Sequence, residues 1–164
     1  MNDVPTNDLS TSGVEALLRL QAESFARADR ALRGSWSTDR AMGPAELDAF
    51  LAEHVYCVLA TTTGKGRPQA RPVAFAVFRD AFWFATVEGG RLRNVQSTPW
   101  VSVVISEGDG DRHRMVAVDG PVTVTTDPPD GLLEHWEQRM GSHPAWAKAW
   151  IELRPDRLFS YSSA

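Results

Sequence analysis

Two arginine-bearing segments and one threonine give this chain its clearest chemical signature. Arg71-Pro72-Val73 interrupts an apolar run. Thr86 closes the next apolar run, and Gly89-Gly90-Arg91-Leu92-Arg93-Asn94 follows it. Phosphate oxygens require hydrogen-bond donors and positive charge. Arginine offers both in a planar fork, and a threonine hydroxyl adds a donor. A short helix that opens on glycine leaves its first N–H groups free, and the positive end of its dipole faces the ligand. Residues of these types, brought to one place, suit a phosphorylated cofactor. Each also has a plainer reading. Arg71 could form a structural ion pair or face outward from an edge strand. Arg91 and Arg93 could be solvated helix residues, and Thr86 an ordinary strand residue or a helix cap.

Other chemistries lack support. No Ser-His-Asp or Cys-His arrangement can be argued from spacing. The single cysteine, Cys57, excludes an intrachain disulfide and fits a reducing, cytoplasmic setting. It sits in the apolar run Val55-Tyr56-Cys57-Val58-Leu59-Ala60 and reads as a small buried hydrophobe. His54, His113, His135 and His143 are scattered and show no metal-ligand spacing with it. The formal net charge of −4 argues against a nucleic-acid partner, which would face a basic surface. No apolar run reaches the length of a membrane span, and residues 1–12 lack the basic and apolar regions of a signal peptide. They read as a flexible tail.

The elements that must position the arginines can be read from periodicity. The chain has 164 residues, of which 43% are hydrophobic, enough for one cored domain over residues 13–164. Ser12 and Glu15 have capping-box spacing and begin a peripheral helix that runs to Gly34. Gly43-Pro44 opens a second helix with Leu47, Phe50 and Leu51 on its apolar face. From Val55 the period changes to that of strands: Tyr56–Thr63, Gln69–Phe78 and Ala81–Val87, joined by the turns Gly64–Arg67 and Arg79-Asp80. A short basic helix lies within Glu88–Ser97. Trp100–Ser106 and Arg114–Thr126 are two more strands, the second bent at Gly120-Pro121. A helix over Gly131–Met140 precedes a final strand over Ile151–Ser162, interrupted at Pro155. The fold class is therefore mainly β with flanking helices: six antiparallel strands without a βαβ rhythm, curling into a closed or nearly closed barrel.

In their order, these segments resemble the FMN-binding split-barrel family related to pyridoxamine 5′-phosphate oxidase. Gly66-Arg67-Pro68-Gln69-Ala70-Arg71-Pro72-Val73 is similar to that family's second strand. Phe82-Trp83-Phe84-Ala85-Thr86 is similar to the next, and Gly89–Pro99 with Val101-Ser102-Val103 to its basic helix and following strand. The resemblance covers roughly residues 47–124. It implies a six-stranded antiparallel split barrel, a homodimer, and FMN at the dimer interface. It also implies that Arg71 and Arg91 meet the phosphate and that Thr86 bonds phosphate or ribityl oxygens. The backbone at Pro72, Val73 and Ala85 would lie along the isoalloxazine, with Arg93 and Asn94 as secondary contacts. The chain departs from the oxidase at Ala76, Leu92 and Met115, and the C-terminal Arg-x-His motif is absent. The vitamin substrate is therefore not expected. The implied activity is a flavin-dependent oxidoreductase acting on a small organic substrate. Alternatives are a deazaflavin-dependent reductase and a non-catalytic flavin- or haem-binding protein.

Overall fold

The computed structural model describes residues 11–163, so the expected tail lies outside the described residues up to residue 10. Five helices and eight strands follow in order, with a 3₁₀ turn at Thr38–Arg40. Helix α1 spans Thr11–Arg27, so Ser12 is already helical rather than the residue before the helix. The single helix expected to Gly34 is two. Asp29 breaks it: its carboxylate accepts from Leu32 N at 2.8 Å and starts α2, Arg30–Ser35, as an N-cap. Nor is α1 peripheral. Leu17 and Phe25 are buried, and Ser24 Oγ accepts from the backbone N–H of Leu158 at 3.0 Å, tying the helix to the C-terminal strand. Helix α3, Pro44–Glu53, begins on proline as expected and buries Leu47, Phe50 and Leu51.

The strands are β1 (Tyr56–Thr62), β2 (Pro68–Ala74), β3 (Ala76–Phe78), β4 (Ala81–Thr86), β5 (Trp100–Asp109), β6 (Arg112–Thr125), β7 (Ala149–Leu153) and β8 (Arg157–Ser162). Six expected runs become eight strands because two of them break. The run Gln69–Phe78 divides at Phe75, whose N–H turns to Val55 O at 3.0 Å while its carbonyl accepts from Arg139 Nε at 3.0 Å. The last run divides around Pro155, which has no N–H to offer a ladder.

All pairings are antiparallel. The hydrogen-bonded path runs β2-β1-β5-β6-β7-β4-β3, with β8 added to β6. The two ends of that path, β2 and β3, are consecutive in the chain. The sheet therefore curls until its edges meet at Phe75, which makes a split barrel. The curl depends on β6 changing partners. Up to Pro121 it pairs with β5, and from Val122 with β7. The change falls at Gly120, where an added Cβ would stand 2.4 Å from Arg154 O and 3.0 Å from Asp156 N. Only glycine admits that approach. Inside the barrel, Phe50, Phe75, Phe82, Phe84 and Ile105 belong to one core. A second cluster, around Trp83, Trp136 and Trp150, lies under helix α5, Leu132–Met140.

Candidate functional site

Helix α4, Gly90–Ser97, directly follows β4 and carries the basic motif. Its N-cap is Gly89, with no side-chain cap, so the cap reading of Thr86 does not hold. Thr86 is buried at the end of β4, and its hydroxyl donates to Val87 O at 3.3 Å.

Alternation along β1 shows which face α4 covers. Cys57, Leu59 and Thr61 are buried, while Tyr56 and Val58 face outward. Paired residues share a face, so Val73, Arg71 and Gln69, opposite Cys57, Leu59 and Thr61, lie on the inner side of β2. Asn94 fastens α4 to that side. Its Nδ2 donates to Thr61 Oγ1 and Gln69 Oε1, each at 2.9 Å. Asn94 therefore holds the helix on the hairpin, and its amide donors are committed there. Thr61 and Gln69 are partners that sequence reading missed. A buried asparagine three residues after an arginine was the available signal.

Arg91 is half-buried one turn before Asn94. It lies close enough to Cys57 for the two groups to shift one another. Burial lowers the guanidinium pKa, and Cys57 raises it slightly. Burial pushes the Cys57 thiol up to about 12, against the opposing pull of Arg91. Among the described residues no carboxylate pairs with Arg91. Arg71 stands on the same face, at the register position between Val73 and Gln69. It is exposed, however, and Nη1 donates to Ala70 O at 2.8 Å. Arg71 therefore bears no cost of a buried charge, because β2 pairs only with β1 and leaves its rim in solvent. Arg93 is exposed on α4.

The remaining candidates divide between faces. Val73 is buried in the core, and Pro72 is exposed on the outer face opposite Val58. Ala85 packs in the α5 cluster, on the side of β4 opposite Thr86. The structure thus brings Arg71, Arg91, Asn94 and α4 to one face of the β1–β2 hairpin. Ala85 takes no side-chain part there. Trp136 and Trp150 are core residues packed edge to face at 5.1 Å, whereas Trp146 is 54% exposed.

The outward face of this half of the sheet is apolar. Pro72, Val58, Val104 and Ala117 form one row across four strands. Tyr56 is 68% exposed, Val58 44% and Val104 43%. No helix among the described residues is long and apolar enough to cross a membrane.

Comparison with known proteins agrees with this architecture. Among solved structures, the conserved protein Rv2991 from Mycobacterium tuberculosis superposes with a TM-score of 0.66 at 22% identity, over 78% of this chain and 89% of that one. HutZ, the heme storage protein from Vibrio cholerae, gives 0.62 at 17% identity, over 71% and 93%. A FAD-binding protein from Mesorhizobium loti gives 0.60 at 20% identity, over 74% and 93%. At these identities the likeness shows the fold. No curated relative matches the chain by sequence. The model of the pyridoxamine 5′-phosphate oxidase family matches residues 44–161, which include α3, β1 to β7, all but the last residue of β8, and the whole α4 site. The chain belongs to the pyridoxamine 5′-phosphate oxidase family of split-barrel proteins.

Proposed function

We propose that this protein is a flavin-dependent oxidoreductase that works as a homodimer, with FMN held at the subunit interface and a small organic molecule as substrate. The observation that carries the reading is Arg91. A half-buried guanidinium with no carboxylate partner among the described residues stands in the first turn of a helix that has no side-chain cap. Such a charge is unfavourable unless an anion meets it. Phosphate fits, because the free N–H groups of the first turn and the helix dipole favour the same ion. Arg71, on the same face of β2, adds a second guanidinium. The residues present therefore fit the phosphate end of FMN.

Strand β2 also connects the cofactor to the dimer. Its inner face carries Arg71 toward α4, and its outer face carries Pro72 into the apolar row with Val58 and Val104. A second copy covering that row would remove the exposed Tyr56, Val58 and Val104 from water. A flavin anchored at the rim of β2 would then lie between subunits. FMN would supply the hydride or electron transfer, while the chain binds it, orients it and excludes water.

One observation favours a cofactor with a longer anionic tail, such as a deazaflavin. The β1–β2 hairpin and α4 with its entry loop carry Lys65, Arg67, Arg71, Arg91 and Arg93 against Glu88. An added Cβ on Gly64 would lie 3.7 Å from Ser97 Oγ, so the hairpin turn lies at the far end of α4. Five cations against one carboxylate thus fall on the hairpin and helix segments of a chain of net negative charge. The deciding experiment is the absorption spectrum and mass of the molecule that co-purifies. A bound FMN supports the first reading and a deazaflavin the second. Haem, or a protein that purifies colourless and binds no added flavin, overturns both.

A further inference from the structure

Away from α4, the C-terminal end of α3 meets the β5–β6 hairpin in a cluster of Glu53, His54, Glu107 and Arg114. His54 Nδ1 lies 2.7 Å from Phe50 O. A carbonyl only accepts, so Nδ1 carries the proton. In the neutral ring Nε2 is then a lone pair. It stands 3.1 Å from Glu107 Oε2, which also offers only lone pairs when ionised. Two acceptors at that separation require something positive between them: a second ring proton or a metal ion. The distance itself fits a metal, since neighbouring N and O ligands at about 2.0–2.2 Å from one ion stand about 3.0–3.4 Å apart.

We propose that His54 Nε2, Glu107 Oε2 and a carboxylate oxygen of Glu53 form a binding site for a divalent transition-metal ion of the zinc class. The ligand atoms of the three residues lie within 4.8 Å of one another. Arg114 donates to Glu107 Oε1 at 2.5 Å and to Glu53 Oε2 at 3.1 Å, and so steadies both carboxylates. The Nδ1–H bond to Phe50 fixes the ring with Nε2 presented, which is the usual outer support of a metal-binding histidine. Glu53 is the last residue of α3 and His54 its C-cap, where the helix dipole favours a cation. On the Glu107 side the cluster borders a cleft of about 550 Å³ that Arg114 and His113 also line. One imidazole and two carboxylates suit Zn²⁺ or Mn²⁺ better than a thiolate-seeking ion.

The site is independent of the flavin reading and is tested without flavin. Metal-stripped protein is titrated with Zn²⁺ against a chromophoric chelator. Wild type should bind one Zn²⁺ per chain. His54→Ala and Glu107→Gln should each weaken binding at least tenfold, and Glu53→Gln less. His113→Ala should leave it unchanged, because that ring is held elsewhere, stacked on Tyr161 at 5.1 Å. X-ray absorption of the zinc-loaded wild type, which needs no variant, should report only nitrogen and oxygen ligands. The absence of one-to-one binding, undiminished binding in His54→Ala, or sulfur in the coordination shell would each overturn the proposal. The cation between Nε2 and Glu107 would then be the second ring proton.

Discussion

Arg91 and Asn94 sit one helical turn apart and have opposite duties. Arg91 is a half-buried charge without a carboxylate partner among the described residues, so it contributes little to the apo fold. Arg91→Ala should leave apo stability unchanged or slightly raised, and should weaken FMN by about 1.5–3 kcal/mol in a fluorescence titration. Asn94→Ala should do the reverse. It removes two bonds that hold α4 on Thr61 and Gln69 and leaves the buried Thr61 hydroxyl without that donor, so urea unfolding should show a loss of roughly 1–3 kcal/mol. Arg71 is exposed on an edge strand, and Arg71→Ala should shift apo stability by no more than about 0.5 kcal/mol.

Cys57 carries a different expectation. Its thiol is raised to about 12 in the fold, mainly by burial, from an ordinary value of 9.0. Native protein should resist alkylation at pH 8, because the thiolate is the reactive form. A raised folded value means that the stability this group contributes is complete below the unfolded value. It is lost as pH rises from about 9 toward 12. Urea unfolding across that interval should show the decline, and Cys57→Val should reduce it.

Among the elements, the two devices that make the barrel differ in how well the sequence shows them. The bend in β6 was legible, since Gly120-Pro121 interrupts a strand pattern, and the structure adds that the strand changes partners there. The close approach of Arg154 O explains why the residue is glycine. Gly120→Ala should cost about 1–3 kcal/mol by crowding backbone that cannot move aside. The break at Phe75 was not legible, because nothing local distinguishes it from its apolar neighbours. Its cause is Arg139, 64 residues later, on α5. That guanidinium donates to Phe75 O, to Ala52 O at 3.2 Å, to Leu51 O at 2.7 Å and to His54 O, and it stacks over the Phe75 ring at 5.1 Å. It joins α5, the end of α3 and the seam of the barrel. Burial pushes its pKa down to about 10, so it remains charged at neutral pH. Arg139→Met should cost roughly 3 kcal/mol or more, since several carbonyls lose their donor together. Asp29 gives the same lesson on a smaller scale. Hydrophobic spacing carried one helix across it, and a local cap divided it.

At the scale of the whole molecule, the succession of hairpins gave the barrel because antiparallel neighbours are set by short turns. Pairings between distant segments, such as β6 with β8, depend on burial rather than local signals. The candidate site was legible as a set of residue types and only partly as geometry. Periodicity placed Arg71 in a strand and Arg91 in a helix. It could not show that Arg71 lies on an open edge or that Asn94 spends its amide on the hairpin. The apolar row of Pro72, Val58, Val104 and Ala117 predicts a stable dimer. Sedimentation at micromolar concentration should give twice the chain mass, and Val58→Lys, which puts a charge in the middle of that row, should shift the equilibrium toward monomer.

The proposed phosphate anchor at α4 is tested most directly by comparing FMN with riboflavin, which shares the ring and ribityl chain and lacks the phosphate. In parallel fluorescence titrations of the wild-type protein, FMN should bind at least tenfold more tightly, the expectation for a charge-assisted phosphate contact of about 1.5–3 kcal/mol. Arg91→Ala should bring the two affinities together by weakening FMN alone. Equal affinities in the wild type would mean that no phosphate meets Arg91 or the open end of α4, and would contradict the assignment of this site.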